Sequence, residues 1–324
     1  MALPRRTFLL AGACALATLA AKAAEITVIG TPIDLDFGDA RRTTAGALTF
    51  KGGLRLAGQS PAFGGLSAMR VSPDGKRVLA ITDRAAWLQA DLQYDGDGML
   101  AGIEHADLSP MIDIDGKSTV APRSDSESLT IVGNAALVGF ERQARVMRFA
   151  LDGNRSPTSE RPTVFAAPQA ITRQPSNEGL ETMTSLADGR VLAISEGLIE
   201  NGAMTAWIFG SEGRTAETLH YVAAPGYNPT DATTLPNGDV LVLERRFTVF
   251  DRGARIVRVR GADIRDGARL EGEEIARLLP PMQVDNFEAI DAVPAPQGGV
   301  RIFVLSDDNF GAFQRTLLLQ FWMP

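Results

Sequence analysis

Acidic and amide residues recur along this chain at two positions of a repeated strand–turn–strand segment. At the start of the first strand they are Asp125, Glu127, Asn177, Glu178, Asn228, Asp231, Asn286 and Glu288. Just past the end of the second strand they are Asp83, Glu141, Glu196, Glu244, Asp307 and Asp308. In an antiparallel hairpin these two positions lie at the same end, so the side chains should converge. Carboxylates placed so close together repel one another unless a cation compensates them.

A hard cation with oxygen ligands is the natural compensator of such a group. Calcium takes about six to eight oxygens from carboxylates and amide carbonyls, which suits a mixture of Asp, Glu and Asn. The sequence therefore predicts calcium as the cofactor. The expected metal ligands are Glu127, Glu178, Asp231, Glu288 and Asp307.

Arginines follow several of the second strands directly. Guanidinium groups bind phosphate or carboxylate through two parallel hydrogen bonds, so Arg84, Arg142 and Arg245 are the expected substrate-binding residues for a small anionic, phosphorylated ligand. A metal ion can activate water for attack on phosphorus while a carboxylate accepts the proton, and Glu178 and Glu141 are the catalytic candidates. At any single position, an acid that caps a turn or neutralises an arginine is an equally good interpretation.

The residues and motifs needed for several other kinds of site are absent or too few in this sequence. The chain has two histidines, His105 and His220, in separate segments, and it has no G-x-S-x-G motif, P-loop or G-x-G-x-x-G pattern. A Ser-His-Asp esterase and a histidine-ligated zinc site are therefore disfavoured. The formal net charge of −7 also argues against nucleic acid or an anionic membrane as the main partner.

The elements that must position these residues are five similar hairpins. Each joins an alternating apolar run to a more strongly apolar run through a tight polar turn, such as Pro236-Asn237-Gly238-Asp239, and a further strand-like run follows. The segments are 65–84, 126–142, 178–196, 229–245 and 287–308. The first repeat has no acid in Gly65-Leu66-Ser67, so that blade is not expected to supply a ligand from its first strand.

One hairpin per unit and no long amphipathic helix predict an all-β fold, a β-propeller of five blades. The early strand-like segment 47–56 is expected to pair with the C-terminal blade and close the ring. A sixth blade is the alternative if residues 26–56 form a unit of their own, and a large β-sandwich is the alternative architecture.

The N-terminus has the features of an export signal. Arg5 and Arg6 precede an apolar run over 10–21, and small residues at 21–24 offer a cleavage site. Paired arginines of this kind resemble a twin-arginine (Tat) signal. We expect a signal peptide over 1–24, a single propeller domain over 25–324, the Tat export machinery as a partner, and a periplasmic or secreted monomer without membrane attachment. An uncleaved anchor is the alternative.

Several short motifs together resemble one bacterial family, the phytase-like proteins with esterase-like activity of phytase. The similarity extends over about 63–321. The resemblance implies a propeller and a phosphoester or ester hydrolase. A calcium-dependent phosphoester hydrolase is thus the first hypothesis, a non-catalytic, calcium-stabilised binding propeller is the alternative, and a carboxylester hydrolase is third. The motifs are Asp125-Ser126-Glu127-Ser128-Leu129-Thr130, Phe140-Glu141-Arg142, Ser176-Asn177-Glu178-Gly179-Leu180-Glu181, Tyr227-Asn228-Pro229-Thr230-Asp231, Glu244-Arg245-Arg246, Asp285-Asn286-Phe287-Glu288 and Ser306-Asp307-Asp308-Asn309-Phe310.

Overall fold

A computed structural model describes residues 23–119, 125–165, 167, 169–174, 179–213, 216–248 and 251–324. Within these ranges the regular elements are β-strands and two short 3₁₀ helices, Gln169–Arg173 and Gly261–Asp263. None of the helices described here is long and apolar enough to cross a membrane. The predicted all-β class is confirmed. The proposed export signal up to residue 22 and the candidate ligand Glu178 lie outside the described residues.

The strands form five sheets, one per blade, in which all but one of the strand pairs are antiparallel, and the four N-terminal strands join the sheets of the first and last blades. The N-terminal strands are β1 (Ala24–Ile26), β2 (Val28–Pro32), β3 (Thr44–Ala45) and β4 (Leu48–Gly58). Blade 1 contains β5 (Leu66–Val71), β6 (Arg77–Thr82), β7 (Ala86–Tyr94) and β8 (Leu100–Pro110). Blade 2 contains β9 (Ser126–Val132), β10 (Ala135–Phe140), β11 (Arg145–Ala150) and β12 (Thr163–Phe165).

The remaining blades repeat this order. Blade 3 contains β13 (Thr182–Ser185), β14 (Val191–Glu200), β15 (Ala203–Phe209) and β16 (Ala216–Tyr221). Blade 4 begins with β17 (Asn228–Thr234), β18 (Val240–Phe247) and β19 (Arg252–Val259). The next segment supplies β20 (Arg269–Leu270), which pairs in parallel with β16, and β21 (Glu273–Leu278), which completes blade 4. Blade 5 contains β22 (Asn286–Pro294), β23 (Val300–Asp307) and β24 (Thr316–Met323).

The ring is closed by the N-terminal strands, as the sequence predicted. β4 lies against β24 in antiparallel register, with Thr316 opposite Leu56 and Trp322 opposite Thr49, and so serves as the fourth strand of blade 5. β2 extends the same sheet by pairing with β4, whereas β1 pairs with β8 on the outer edge of blade 1. One short segment therefore links the first blade to the last, and the described chain forms five blades rather than six.

The predicted hairpin turns are present because glycine supplies the backbone conformation that they need. Gly75 and Gly238 have φ of 74° and 89°, values that L-residues with a side chain adopt at a cost. The second strands are buried along most of their length. Leu79 and Ile81 of β6 pack in one cluster with Leu129 and Val138 of blade 2. Adjacent blades are therefore held together by apolar contacts between sheet faces.

A repeated β-bulge sets which first-strand side chains face the channel. In blades 1, 2, 4 and 5, the register of the first strand against the second slips by one residue near its start. The extra residues are Ser67, Glu127, Thr230 and Glu288. Such a bulge re-aims the extra side chain. In blade 3, Glu196 donates its backbone N–H to the carbonyl of Gly179 at 3.2 Å, which gives Glu181 the equivalent place.

Candidate functional site

One end of the channel is lined by carboxylates from four of the five blades, and we call it the acidic mouth. Its acids are Asp83, Asp125, Glu127, Glu141, Glu181, Glu196, Glu288, Asp307 and Asp308. Those on the bulges and first strands point inward, and those that follow the second strands form the rim. In blade 4 the rim position is occupied by Arg245, which lies opposite Asn228 in the register.

The inner carboxylates are partly buried and repel one another. Burial raises the pKa of Glu127 well above its ordinary value, and the negative charges of Glu181 and Asp125 add to that rise. The pKa of Glu181 is raised in the same way by burial and by the charges of Glu196 and Glu288. Each of these groups favours its protonated form unless positive charge is supplied.

Among the described residues, one arginine lies between these inner acids. Arg245 donates hydrogen bonds to Glu288 and, at 2.7 Å, to Oδ1 of Asn286. Its positive charge lowers the pKa of Glu288, but burial outweighs this effect and leaves that pKa at about 7. Arg245 is also close enough to favour ionisation of Glu181. One guanidinium thus balances only part of the charge that these acids carry at neutral pH.

The rim acids are perturbed for the same reason. Burial raises the pKa of Asp307 to about 8 and that of Glu141 to about 7, with neighbouring acids contributing. The pKa of Asp83 rises to about 6, and its Oδ1 is buried without a hydrogen-bond partner among the described residues. Glu196 accepts a hydrogen bond from the Asn228 side chain at 2.6 Å. Several titrations near neutral pH are therefore concentrated in one mouth, as is common at functional sites.

Three of the acids form a group of the size that holds a metal ion. One oxygen each from Asp125, Glu127 and Glu141 lies within 4.8 Å of the others. Oε1 of Glu141 also accepts the backbone N–H of Gly179 at 3.1 Å, which fixes that side chain. The donor set is oxygen only, as calcium prefers, and the raised pKa values mark a shortage of positive charge. The residues present therefore fit a calcium ion.

The rim arginines differ in their partners. Arg142 forms an ion pair with Asp125, at 2.5 Å between Nε and Oδ2, and Arg246 pairs with Asp251 at 2.9 Å. Arg84 has no carboxylate within ion-pairing distance in the described part of the chain. Its guanidinium instead lies over the Phe310 ring, 3.3 Å from the ring centre. Of these three rim arginines, Arg84 is therefore the one whose guanidinium is most available to bind an external anion.

The structure brings most of the predicted site residues together and separates two. Glu127, Glu288, Asp307 and Glu141 lie in the acidic mouth, together with the predicted arginines Arg84, Arg142 and Arg245. Asp231 does not reach the mouth. It is fully buried and accepts hydrogen bonds from Arg70 at 2.8 and 3.0 Å.

Glu244, which the sequence placed on the rim, is also elsewhere. It lies one residue before the rim position, is buried, and accepts a hydrogen bond from the Tyr221 hydroxyl at 2.7 Å and another from Arg255. The rim position itself belongs to Arg245. The structure therefore corrects the placement of Glu244 by one residue.

Glu181 is the residue that the sequence reasoning missed. The signal was present in a six-residue alignment of the first strands, in which the third residue is the bulge. The aligned segments are 65–70 (GLSAMR), 125–130 (DSESLT), 179–184 (GLETMT), 228–233 (NPTDAT) and 286–291 (NFEAID). Their third residues are Ser67, Glu127, Glu181, Thr230 and Glu288, so three of the five are glutamates that face one another.

Arg70 closes the channel below these glutamates. Besides Asp231, its guanidinium donates to the backbone carbonyls of Met183 at 2.8 Å, Ala232 at 3.1 Å and Ile290 at 3.2 Å. These partners belong to blades 3, 4 and 5, whereas Arg70 itself comes from blade 1. The buried guanidinium therefore crosses the channel and separates the acidic mouth from the opposite end.

Comparisons with solved structures return distant propeller-like chains. The PQQ-bound aldose sugar dehydrogenase of Streptomyces coelicolor aligns at TM-score 0.46 and 10% identity, covering 90% of this chain and 98% of that one. A protein of unknown function from Bacteroides thetaiotaomicron aligns at 0.45 and 11%, covering 92% and 76%. The Cps50 (Swd1) β-propeller domain of Myceliophteria thermophila aligns at 0.40 and 10%, covering 92% and 100%.

Sequence comparison is more specific. No curated protein matches the chain. A family model described as "Phytase-like: Esterase-like activity of phytase" matches residues 61–310, which run from just before blade 1 to the turn after β23. The matched region includes every acid of the acidic mouth. By this match over most of its length, the chain belongs to the phytase-like family, whose description is the esterase-like activity of phytase.

Proposed function

We propose that the acidic mouth binds calcium and that the protein is a calcium-dependent hydrolase of a phosphorylated small molecule. The observation that carries this proposal is the excess of partly buried carboxylates over arginines among the described residues of the mouth. Glu127, Glu181 and Glu288 share one arginine, Arg245, and their pKa values are all raised. A divalent cation with oxygen ligands would supply the missing charge. Membership of the phytase-like family supports a hydrolase.

Asp125, Glu127 and Glu141 are the residues that would hold the ion, with Glu181 and Glu288 close enough to feel its charge. Bound there, calcium would neutralise these carboxylates and attract a phosphoryl oxygen of the substrate. Asp231, predicted as a ligand from the sequence, takes no part in this proposal, because its carboxylate is saturated by Arg70 and backbone N–H groups.

The arginines and Glu141 give the mouth the other groups that phosphoester hydrolysis needs. Arg84 is free to pair with a phosphate, and the half-exposed Arg142 can turn toward one without leaving Asp125. Calcium held by Glu141 would keep that carboxylate ionised, so Glu141 would contribute to catalysis through its part in holding the ion. Glu178 retains its predicted role as the candidate proton acceptor.

A non-catalytic binding propeller is the second candidate. Its supporting observation is that Arg142 and Arg245 both already pair with acids, and that the described residues of the mouth include no histidine or lysine. His105 lies by Asp91 and His220 by Glu200, outside the mouth. A carboxylester hydrolase ranks third, since a histidine-activated nucleophile is not among the described groups of the mouth.

Turnover and calcium binding together distinguish these functions. We expect phosphate release from phytate or p-nitrophenyl phosphate in calcium, its loss in EGTA, and a large reduction in the Glu141→Gln variant. Isothermal titration calorimetry should show calcium binding by the same protein. Calcium binding without turnover on any phosphoester would support the binding propeller. Failure of calcium to bind would contradict both proposals.

We further propose that the protein works in the periplasm or outside the cell as a monomer, with a small anionic ligand rather than nucleic acid as its partner. The support is the twin-arginine sequence at Arg5 and Arg6 and the acidic net charge of −7. Fractionation of cells that carry an Arg5→Lys/Arg6→Lys variant tests this proposal. The variant should remain in the cytoplasm, whereas the wild-type chain should be exported.

A further inference from the structure

A second cavity opens at the other end of the channel, among the hairpin turns. Its volume is about 390 Å³, within the range of small-molecule sites. The sixth residues of the aligned first strands form its floor, one from each blade. They are Arg70, Thr130, Thr184, Thr233 and Asp291. We call this space the turn-side cavity.

The floor separates the turn-side cavity from the acidic mouth. Arg70 is committed to Asp231 and to backbone carbonyls, as described above. Asp291 is committed too, because Oδ2 accepts the backbone N–H of Val71 at 2.6 Å and Oδ1 accepts the Thr233 hydroxyl at 2.8 Å. Both charged groups of the floor are therefore satisfied by the protein, and a ligand here would not compete with a metal ion in the acidic mouth.

The hydroxyls on one side of the floor retain hydrogen-bonding capacity. The Thr130 hydroxyl accepts the backbone N–H of Ser185 at 2.9 Å, so its own hydrogen is free among the described contacts. Thr184 and Thr234 share one hydrogen bond at 3.2 Å, which uses only one of their two hydrogens. The Ser185 hydroxyl makes no hydrogen bond within the described chain. The cavity therefore offers several donors to a ligand that is rich in oxygen.

One arginine also lines this cavity. Arg155, from the loop between β11 and β12, lines it in a half-buried position and has no carboxylate within ion-pairing distance in the described ranges. Its backbone φ is 61°, unusual for a residue with a side chain. Asp152 holds this turn by accepting the N–H groups of Asn154 and Ser156, both at 2.8 Å. An arginine beside a cavity without a carboxylate partner can pair with an anionic ligand.

The upper wall of the cavity is apolar. Equivalent turns supply Pro73, Pro236 and Pro294, and Leu186 and Leu235 lie between them. A small polyol has C–H groups that can pack on these apolar walls and O–H groups that can hydrogen-bond to the hydroxyls of the floor. Arg155 adds a preference for one negative charge.

We propose that the turn-side cavity is a second binding site, for a small hydroxylated organic anion of the sugar-acid class. The carboxylate pairs with Arg155, the hydroxyl groups bond to Thr130, Ser185 and the Thr184–Thr234 pair, and the carbon skeleton packs on the prolines. The site uses none of the acidic mouth.

Calorimetric titration of the whole protein with D-gluconate tests this site, with D-glucose and acetate as comparison ligands. Gluconate should bind at least about tenfold more tightly than either, since glucose lacks the carboxylate that pairs with Arg155 and acetate lacks the hydroxyl groups that bond to the floor. Arg155→Gln should weaken gluconate binding about tenfold, and Ser185→Ala a few-fold. Arg41→Gln is the matched control, because that arginine is 92% exposed and distant from the cavity.

Two further measurements locate the effect. Glu141→Gln and EGTA should leave gluconate binding unchanged, because the acidic mouth is separate. Melting temperatures of Arg155→Gln and Arg41→Gln should match that of the wild type, since Arg41 is exposed and the half-buried Arg155 pairs with no carboxylate in the described ranges. Equal binding of gluconate, glucose and acetate, no binding of gluconate, or an unchanged affinity in Arg155→Gln would each overturn the proposal.

Discussion

The Arg84 guanidinium lies over the ring of Phe310 at the seam between blades 1 and 5. The ring packs closely on Gly64 and Gly65, where an added Cβ at Gly65 would come within 2.5 Å of it. Asn309 and Phe310 both have positive φ, 48° and 50°, and Asp308 accepts the Phe310 N–H at 3.0 Å. The turn at Asn309 and Phe310 thus fixes the Phe310 ring, and the ring positions Arg84 beside the acidic mouth.

Replacement of this ring should affect substrate binding more than turnover. Phe310→Leu removes a cation–π contact worth about 0.5–2 kcal/mol, so the KM for a phosphoester should rise roughly 2- to 30-fold with little change in kcat. Steady-state kinetics checks this. Phe313→Leu is the control, because that side chain lies in the same loop and is 91% exposed. An equal effect of both variants would show that the loop, and not the stacking, matters.

Neutralising an inner glutamate should have opposite effects with and without calcium. Glu181→Gln removes one member of a repelling group, so the calcium-free protein should melt at a higher temperature. Its calcium affinity should fall about tenfold or more, since ligand charge sets that affinity. Thermal melting and calorimetry measure the two effects. Asp97→Asn, in an exposed turn between β7 and β8, should change neither.

The calcium-free protein should lose stability as the pH rises toward 8. The pKa values of Glu141 and Asp307 are raised by burial to about 7 and about 8 from ordinary values of 4.5 and 3.8. The folded state therefore binds more protons than the unfolded chain between about pH 4 and 8, and stability falls across that window. Acids with lowered pKa, such as Glu274, oppose this only at more acidic pH.

Melting in EGTA at pH 5 and pH 8 measures this dependence. The melting temperature should be lower at pH 8 by roughly 5 °C or more, and calcium should shrink the difference because it favours the ionised carboxylates. A higher melting temperature at pH 8 without calcium would contradict the assignment of the acidic mouth as the main source of electrostatic strain.

Removal of the buried guanidinium that closes the channel should be costly. Arg70→Met leaves Asp231 without its partner and three blades without a donor, so unfolding should require about 3–5 kcal/mol less free energy. Denaturant unfolding measures the loss. The double variant Arg70→Met/Asp231→Asn should recover part of it, because the unpaired charge is gone. No recovery would mean that the backbone carbonyls, and not the ion pair, account for the cost.

The fold could be predicted from sequence because its signals are local. Glycine-containing turns between apolar runs report hairpins directly, and each of the five repeats at 65–84 to 287–308 contains one; in three of them the turn is Asp-Gly or Asn-Gly. The ring closure was also visible, since the strand-like segment 47–56 had no hairpin partner nearby. These features need no knowledge of how the blades face one another.

The detailed site could not be predicted in the same way because it depends on a bulge. The extra residue changes the alternation of the first strand, so side chains before and after it face opposite sides from those that simple alternation predicts. This slip in register appears only once the strands are paired. It puts Glu127 and Glu288 in the mouth, turns Asp231 toward Arg70, and gives the blade 4 rim position to Arg245 in place of Glu244. The pairing of Arg245 with Glu288, from a different blade, carries no sequence signal at all.

The closure of the ring by β4 also fixes the order in which this chain can fold. Thr49 and Leu56 pair with residues near the C-terminus, so the last sheet joins segments from both ends of the chain. Blades 1 to 4 consist largely of local hairpins and can form while synthesis continues, but the fifth must wait for β24. Contacts of such long sequence separation form slowly. Ring closure is therefore expected to be slow, and until it occurs the edge of β4 opposite β2 stays unpaired and open to pairing with other chains.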